Sequence, residues 1–107
     1  MSLKLNTLAV ITVATAGTRV QVSASSLNAY KVFVTCPTGV IYVGDSNVSS
    51  SRYTHKVTAA AANTVEITGY IQGAPDVGSV QLSSLYVDAG TNGDKAVVGY
   101  LTRLDNG

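Results

Sequence analysis

A chain that does chemistry needs groups able to move protons, attack a substrate or hold a metal, and this one carries few of them. It has one histidine, His55, one cysteine, Cys36, and six acidic residues, of which Glu66 is the only glutamate. A hydrolase relay would have to gather Ser46 or Ser49 and Asp45 or Asp94 around His55. No Gly-x-Ser-x-Gly elbow occurs to present such a serine, and a histidine serves as a base only where a partner orients it. His55 stands between Thr54 and Lys56 where a strand should start, so an exposed polar position is expected. Sugar hydrolysis would need two carboxylates at a set separation. Glu66, on the polar phase of Val65-Glu66-Ile67, should instead face solvent. Asp45, Asp76, Asp88 and Asp94 fall in or beside turn signals, where aspartate accepts hydrogen bonds from nearby amides.

Metal binding has one candidate stretch, Asp88-Ala89-Gly90-Thr91-Asn92-Gly93-Asp94, with oxygen donors at its first, fourth, fifth and seventh positions. Its spacing departs from the calcium loop of EF-hands, and no bidentate glutamate closes it. Asn92-Gly93 is also a strong hairpin signal, since both residues tolerate the positive φ of a type I′ turn, and a hairpin is the expected reading. A lone cysteine excludes an internal disulfide and any cysteine-pair zinc site. Cys36 lies in an alternating strand and should be a small buried hydrophobe. No metal and no cofactor is expected.

The elements that would position these groups are strands. Period-two alternation recurs along the chain. Val20, Val22 and Ala24 alternate with Arg19, Gln21 and Ser23 over residues 18–24. Over residues 30–36, Tyr30, Val32, Val34 and Cys36 share one side. Pro37-Thr38-Gly39 then interrupts, because proline lacks the ladder donor and glycine accepts positive φ, and residues 40–43 should return as a hairpin partner. Further strands are expected at 64–70, 78–82, 85–88 and 95–102, each rich in Val, Ile, Leu or Tyr and bounded by turn residues. The apolar run Leu8 to Val13, broken by Thr12 and followed by Thr15, reads as a first strand rather than a secretory leader. Only residues 58–63 favour a helical turn, and that run is too short to stand alone. Ile41-Tyr42-Val43-Gly44-Asp45 and Leu85-Tyr86-Val87-Asp88-Ala89 echo one another, without implying duplication.

The expected architecture is therefore all-β: one antiparallel β-sandwich, jelly-roll-like, of about seven or eight strands spanning residues 1–107, with residues 1–7 as an N-terminal arm. At 107 residues the chain can bury a single core. Charged residues make up only 12% against 46% hydrophobic, so Ser, Thr, Asn, Gln and Gly must build most of the surface. A net charge of +1 with no basic run argues against nucleic acid as a partner. No stretch has the length of a membrane helix, so no membrane partner is expected. Residues 44–52 turn the chain and form a hydroxyl-rich loop, and loops at sandwich ends are where contacts are made. Arg52, Tyr53 and His55 are the candidate interface residues, because Arg and Tyr are favoured anchors. A carbohydrate-binding module would use exposed aromatics. Most of the six tyrosines fall in apolar phase on predicted strands, where core or interface roles are commoner.

Several stretches in order carry a resemblance: Thr15-Ala16-Gly17-Thr18-Arg19-Val20-Gln21-Val22, then Lys31-Val32-Phe33-Val34, then Val40-Ile41-Tyr42-Val43-Gly44-Asp45-Ser46-Asn47-Val48, then Leu85-Tyr86-Val87-Asp88-Ala89 with Gly93-Asp94 and a last apolar strand. Over residues 12–101 the chain resembles the small β-sandwich virion structural proteins of tailed bacteriophages. Where that group carries a Gly-rich loop after Ser-x-Val-Ser-Ser, this chain has Ser51-Arg52-Tyr53-Thr54-His55-Lys56. The resemblance implies a non-enzymatic part of the virion, made in the host cytoplasm. Foremost is a capsid cement or decoration protein that binds the major capsid protein on the outer shell as a symmetric homo-oligomer, a trimer at three-fold positions. A head-fibre base or tail component is the alternative within the group. No catalytic residues come with it.

Overall fold

The computed structural model describes residues 3–25, 28–60, 64–68 and 80–103. The chain is all-β, and every strand pairing is antiparallel. One sheet runs in the order β1 (Leu3–Thr7), β11 (Lys95–Arg103), β5 (Lys31–Thr35), β8 (Thr64–Thr68), with β2 (Ile11–Thr12) also on β11. A second sheet runs β3 (Val20–Gln21), β10 (Tyr86–Ala89), β6 (Val40–Gly44), β7 (His55–Thr58). A short ribbon joins β4 (Asn28–Ala29) to β9 (Val80–Gln81), and a 3-10 turn covers Leu82–Ser84. Several of these strands have only two residues, so the described residues carry more and shorter strands than the alternation predicts.

The core is the apolar phase of both sheets. Val32, Val34, Ala96 and Val98 of the first sheet meet Ile41, Val43, Val57, Val87 and Ala89 of the second in one buried cluster, which also takes in Cys36 and Leu82. Each fully buried valine, leucine or isoleucine stabilises the fold by about 1.5–3 kcal/mol relative to exposure. The β-branched composition suits this, since Val and Ile pack well on a pleated surface. The result is a β-sandwich-like fold. The echoed segments are neighbours: Tyr86 pairs with Gly44, Val87 with Val43 and Ala89 with Ile41.

The connection after Cys36 departs from the expected hairpin. β5 and β6 lie in different sheets, so residues 36–39 form a corner that carries the chain across the core. Gly39 makes this possible with φ of +77°. The Val40 amide, lacking a hairpin partner, donates to Asp94 Oδ2 at 3.1 Å. Residues 89–95 are likewise a crossing between sheets. Only Gly93 has positive φ there, at +89°, and no non-glycine residue does among those described, which excludes the type I′ turn. Asp94 N–H donates to Thr91 C=O at 3.2 Å, and positive φ at the third position alone is the type II pattern.

The N-terminal segment also differs from expectation. Residues 3–7, expected in an arm, lie along β11 from Leu3 opposite Arg103 to Thr7 opposite Gly99. Leu8 N–H continues that register by donating to Val98 C=O at 3.1 Å. Beyond it the register changes, since Ile11 faces Ala96 and Thr12 faces Lys95. Ala9 and Val10 therefore stand opposite the single residue Val97, which is a β-bulge. The bulge shifts the inward phase from Leu8 to Ile11 and the fully buried Val13. At β3, Val22 is buried but Ala24 is exposed, so the alternation stops short of residue 24. Residues 59–60 form a turn, and the rest of the expected helical stretch, residues 61–63, lies outside the described residues, as do Tyr70 and Asp76.

Candidate functional site

A hydroxyl-rich loop, residues 45–54, leaves the end of β6 and returns as β7. The loop is built in two steps. Asp45 C=O accepts from Val48 N–H at 3.0 Å, and Asp45 Oδ1 accepts from Asn47 N–H at 2.9 Å, a side-chain-stabilised turn. Ser49 and Arg52 then exchange backbone hydrogen bonds at 2.8 and 3.1 Å around Ser50-Ser51. Val48 anchors the whole. It is 1% exposed and sits so near Gly44 that a Cβ there would lie 3.1 Å from Val48 Cγ2. Thr54 ends the loop by donating both its N–H, at 2.8 Å, and its hydroxyl, at 3.0 Å, to Val43 C=O.

This frame places the three predicted interface residues on two sides of the end. Tyr53 is exposed, and its ring lies 5.0 Å from that of Tyr42, tilted by 39°. It is the only exposed tyrosine among those described. Arg52 and Tyr53 line a shallow cavity of about 140 Å³ with Gly44, Asp45 and Thr54. His55 is half-buried rather than exposed, because its register opposite Val43 turns it to the core phase of β7. It lines a second cavity of about 320 Å³ with Asp45, Ile67, Ser84 and Leu85. A third, of about 340 Å³, runs between Asp45, Ser46, Ser83, Ser84 and Tyr86. Asp45 borders all three, and alternation alone does not reveal this. It follows from the pairing of β6 with β10, which sets Gly44-Asp45 beside Tyr86 and the preceding 3-10 turn, and the likeness of the two Tyr-Val segments did not signal that pairing.

Serine, histidine and carboxylate thus approach one cavity, but none hydrogen-bonds another. Thr54 Oγ1 lies 3.1 Å from His55 Nδ1. The same hydroxyl lies within hydrogen-bond distance of Val43 C=O, so it links the ring to the end of β6. Ser84 Oγ donates to Gln81 Oε1 at 3.4 Å, and Asp45 holds the Asn47 amide. These partners build the loop and brace the 3-10 turn beside it.

The remaining acidic groups are also structural. Asp88, 1% exposed, accepts on Oδ1 from Gly17 N–H at 2.9 Å and Ala89 N–H at 2.8 Å. Asn92 Oδ1 accepts from Ala16 N–H at 2.7 Å. With Asp94 bonded to Val40, the oxygen donors of the 88–94 stretch close three backbone segments. No cluster of three or more His, Cys, Asp or Glu suited to a metal occurs among the described residues. Glu66 is exposed and pairs with Lys31 at 3.2 Å across β5 and β8. Cys36 is fully buried, its thiol donating to Thr38 C=O at 3.2 Å. Burial, and then the nearby Asp94 carboxylate, pushes this thiol's pKa up. No helix among the described residues is long and apolar enough to cross a membrane. No protein-family model, curated protein or solved structure matches the chain.

Proposed function

We propose that the protein is a non-enzymatic virion structural protein of a tailed bacteriophage, a capsid cement or decoration protein that binds the outer shell through the end bearing residues 45–55. One observation carries this reading: the stretches that bear the resemblance are neighbours in space. Val20-Gln21 pairs with Tyr86-Val87, which pairs with Val43-Gly44. Gly17 is tied to Asp88, and Val40 to Asp94. Three of the shared stretches thus build the β3-β10-β6 part of one sheet and tie its two corners, the Lys31–Val34 stretch and the last apolar strand pair as β5 and β11 in the other sheet, and the loop that departs from the group leads into β7. A motif set that specifies a scaffold while one loop varies suits a family whose members dock on different shells.

The surface supports the same reading. Arg52 and Tyr53 are exposed anchors beside Ser46, Ser50 and Ser51, hydroxyls that make contacts without stripping water from ions. Weak contacts repeated over a symmetric shell gain by multivalency. The test is co-sedimentation of the purified protein with assembled capsids that lack it. Binding that saturates at a fixed ratio to the capsid protein, and that Tyr53→Ala weakens, is the expected result. Failure to bind any such capsid would end the cement reading, and location on a fibre or tail by electron microscopy would favour the alternative part of the virion.

A further inference from the structure

Three of the four most exposed large apolar side chains among the described residues, Leu5 at 63%, Val10 at 51% and Val97 at 39%, lie on β1, the bulge and the residue opposite it. β1 ends its sheet. Residues that bond inward in an antiparallel ladder alternate with residues that bond outward. Leu8 N–H points at β11, so Asn6 and Lys4 also bond inward, and Leu3, Leu5 and Thr7 turn their N–H and C=O groups to the open edge. Such an edge is a template for another strand, and proteins usually blunt it with proline, charge or a bulge. Here the bulge interrupts the edge at Ala9-Val10 only. Leu3–Thr7 contains no proline and one charge, Lys4.

We propose that β1 is the seam of a two-fold dimer, pairing antiparallel with β1 of a second copy about Leu5. The strand is self-complementary in this register. Leu5 faces Leu5, Leu3 faces Thr7, and Lys4 faces Asn6 instead of its own copy, so no like charges stand opposite. The outward groups of Leu3, Leu5 and Thr7 then form about six backbone hydrogen bonds. The outer face agrees. Leu5 shares its phase with Leu101, Val97 and Phe33, paired through β11 and β5, and its side chain lies over Gly99, whose ideal Cβ would sit 3.9 Å from Leu5 Cδ1. Two-fold pairing makes these stripes continuous across the seam, with the Lys31–Glu66 pair at the outer side of each. The inference does not rest on the virion reading, and it puts a two-fold seam in place of the trimer that the resemblance implies.

Light-scattering mass of the whole chain across a dilution series tests it. A species near 22 kDa, twice 11.0 kDa, is expected, with Leu5→Lys and Leu5→Pro each raising its dissociation constant by roughly tenfold or more. Leu5→Pro removes only an outward donor, a place where edge strands accept proline. Circular dichroism and melting of both variants separate loss of the dimer from loss of the fold. Leu5→Cys should also give a crosslinked band of twice the chain mass under mild oxidation, since Cys36 is fully buried. A monomer at every concentration, a 33 kDa trimer, or a dimer indifferent to folded Leu5 variants would each overturn the proposal.

Discussion

Asp88 and Asp94 are the buried carboxylates that tie the loops at Gly17 and Val40 to the 88–94 stretch. A buried acceptor with two backbone donors leaves those donors unsatisfied when it is removed. Asp88→Ala should therefore destabilise by about 2–3 kcal/mol in urea unfolding, and Asp88→Asn, which keeps an acceptor oxygen, by clearly less. Gly39→Ala should cost about 2 kcal/mol or more, because it combines a positive φ with a Cβ placed against the Asp94 carboxylate. The raised Cys36 pKa carries a pH signature. The unfolded chain's thiol ionises first, so this contribution is complete below the ordinary thiol pKa and is lost as pH rises toward the folded value. Wild type should lose stability relative to Cys36→Ala between about pH 8 and 10, read as the difference in urea midpoint. The turn role of Asp45 was legible in the sequence because turn-adjacent aspartates accept from nearby amides, and Asp88 does so at Ala89, but Asp94 and the second bond of Asp88 tie distant segments instead. Their partners Gly17 and Val40 were not legible, since those contacts join segments far apart in the chain.

At the scale of elements, alternation over residues 30–36 put Tyr30, Val32, Val34 and Cys36 on one side, and the structure buries Val32, Val34 and Cys36 and half-buries Tyr30. It did not identify the sheet each strand joins. Two strands on opposite sides of one core present the same period, and Pro37-Thr38-Gly39 signals a reversal without saying whether it is a hairpin or a corner. The bulge is a second case. The run Leu8-Ala9-Val10-Ile11 carries no alternation because one residue is extra, and a phase shift reads as continuous apolarity. Loop 45–54 depends on Val48. Val48→Ala should cost about 2 kcal/mol through the cavity it leaves and should open amide exchange at Asn47, Val48 and Ser49, measured by hydrogen exchange. Arg52→Ala, by contrast, should change stability by no more than about 0.5 kcal/mol while lowering capsid binding in co-sedimentation.

For the molecule as a whole, cohesion comes from apolar burial and backbone pairing with little help from charge. The described residues contain one ion pair between side chains, Lys31–Glu66, and its partners are 32% and 58% exposed. Exposed pairs of this kind contribute little and are screened by salt. Raising sodium chloride from 0.05 to 0.5 M should thus shift the unfolding free energy by less than about 0.5 kcal/mol. A larger loss would reveal electrostatic support not visible in the fold.

The place of β11 has a consequence for biosynthesis. This strand is the last element described, yet it lies between β1 and β5 and also carries β2. A ribosome delivers the chain from its N-terminus, so β1, β2 and β5 emerge and must wait, each lacking its neighbour, until residues 95–103 have left the exit tunnel. The first sheet is therefore completed only when residues 95–103 join it, and a chain truncated before residue 95 holds unpaired strands fit for aggregation or proteolysis rather than a smaller version of the fold.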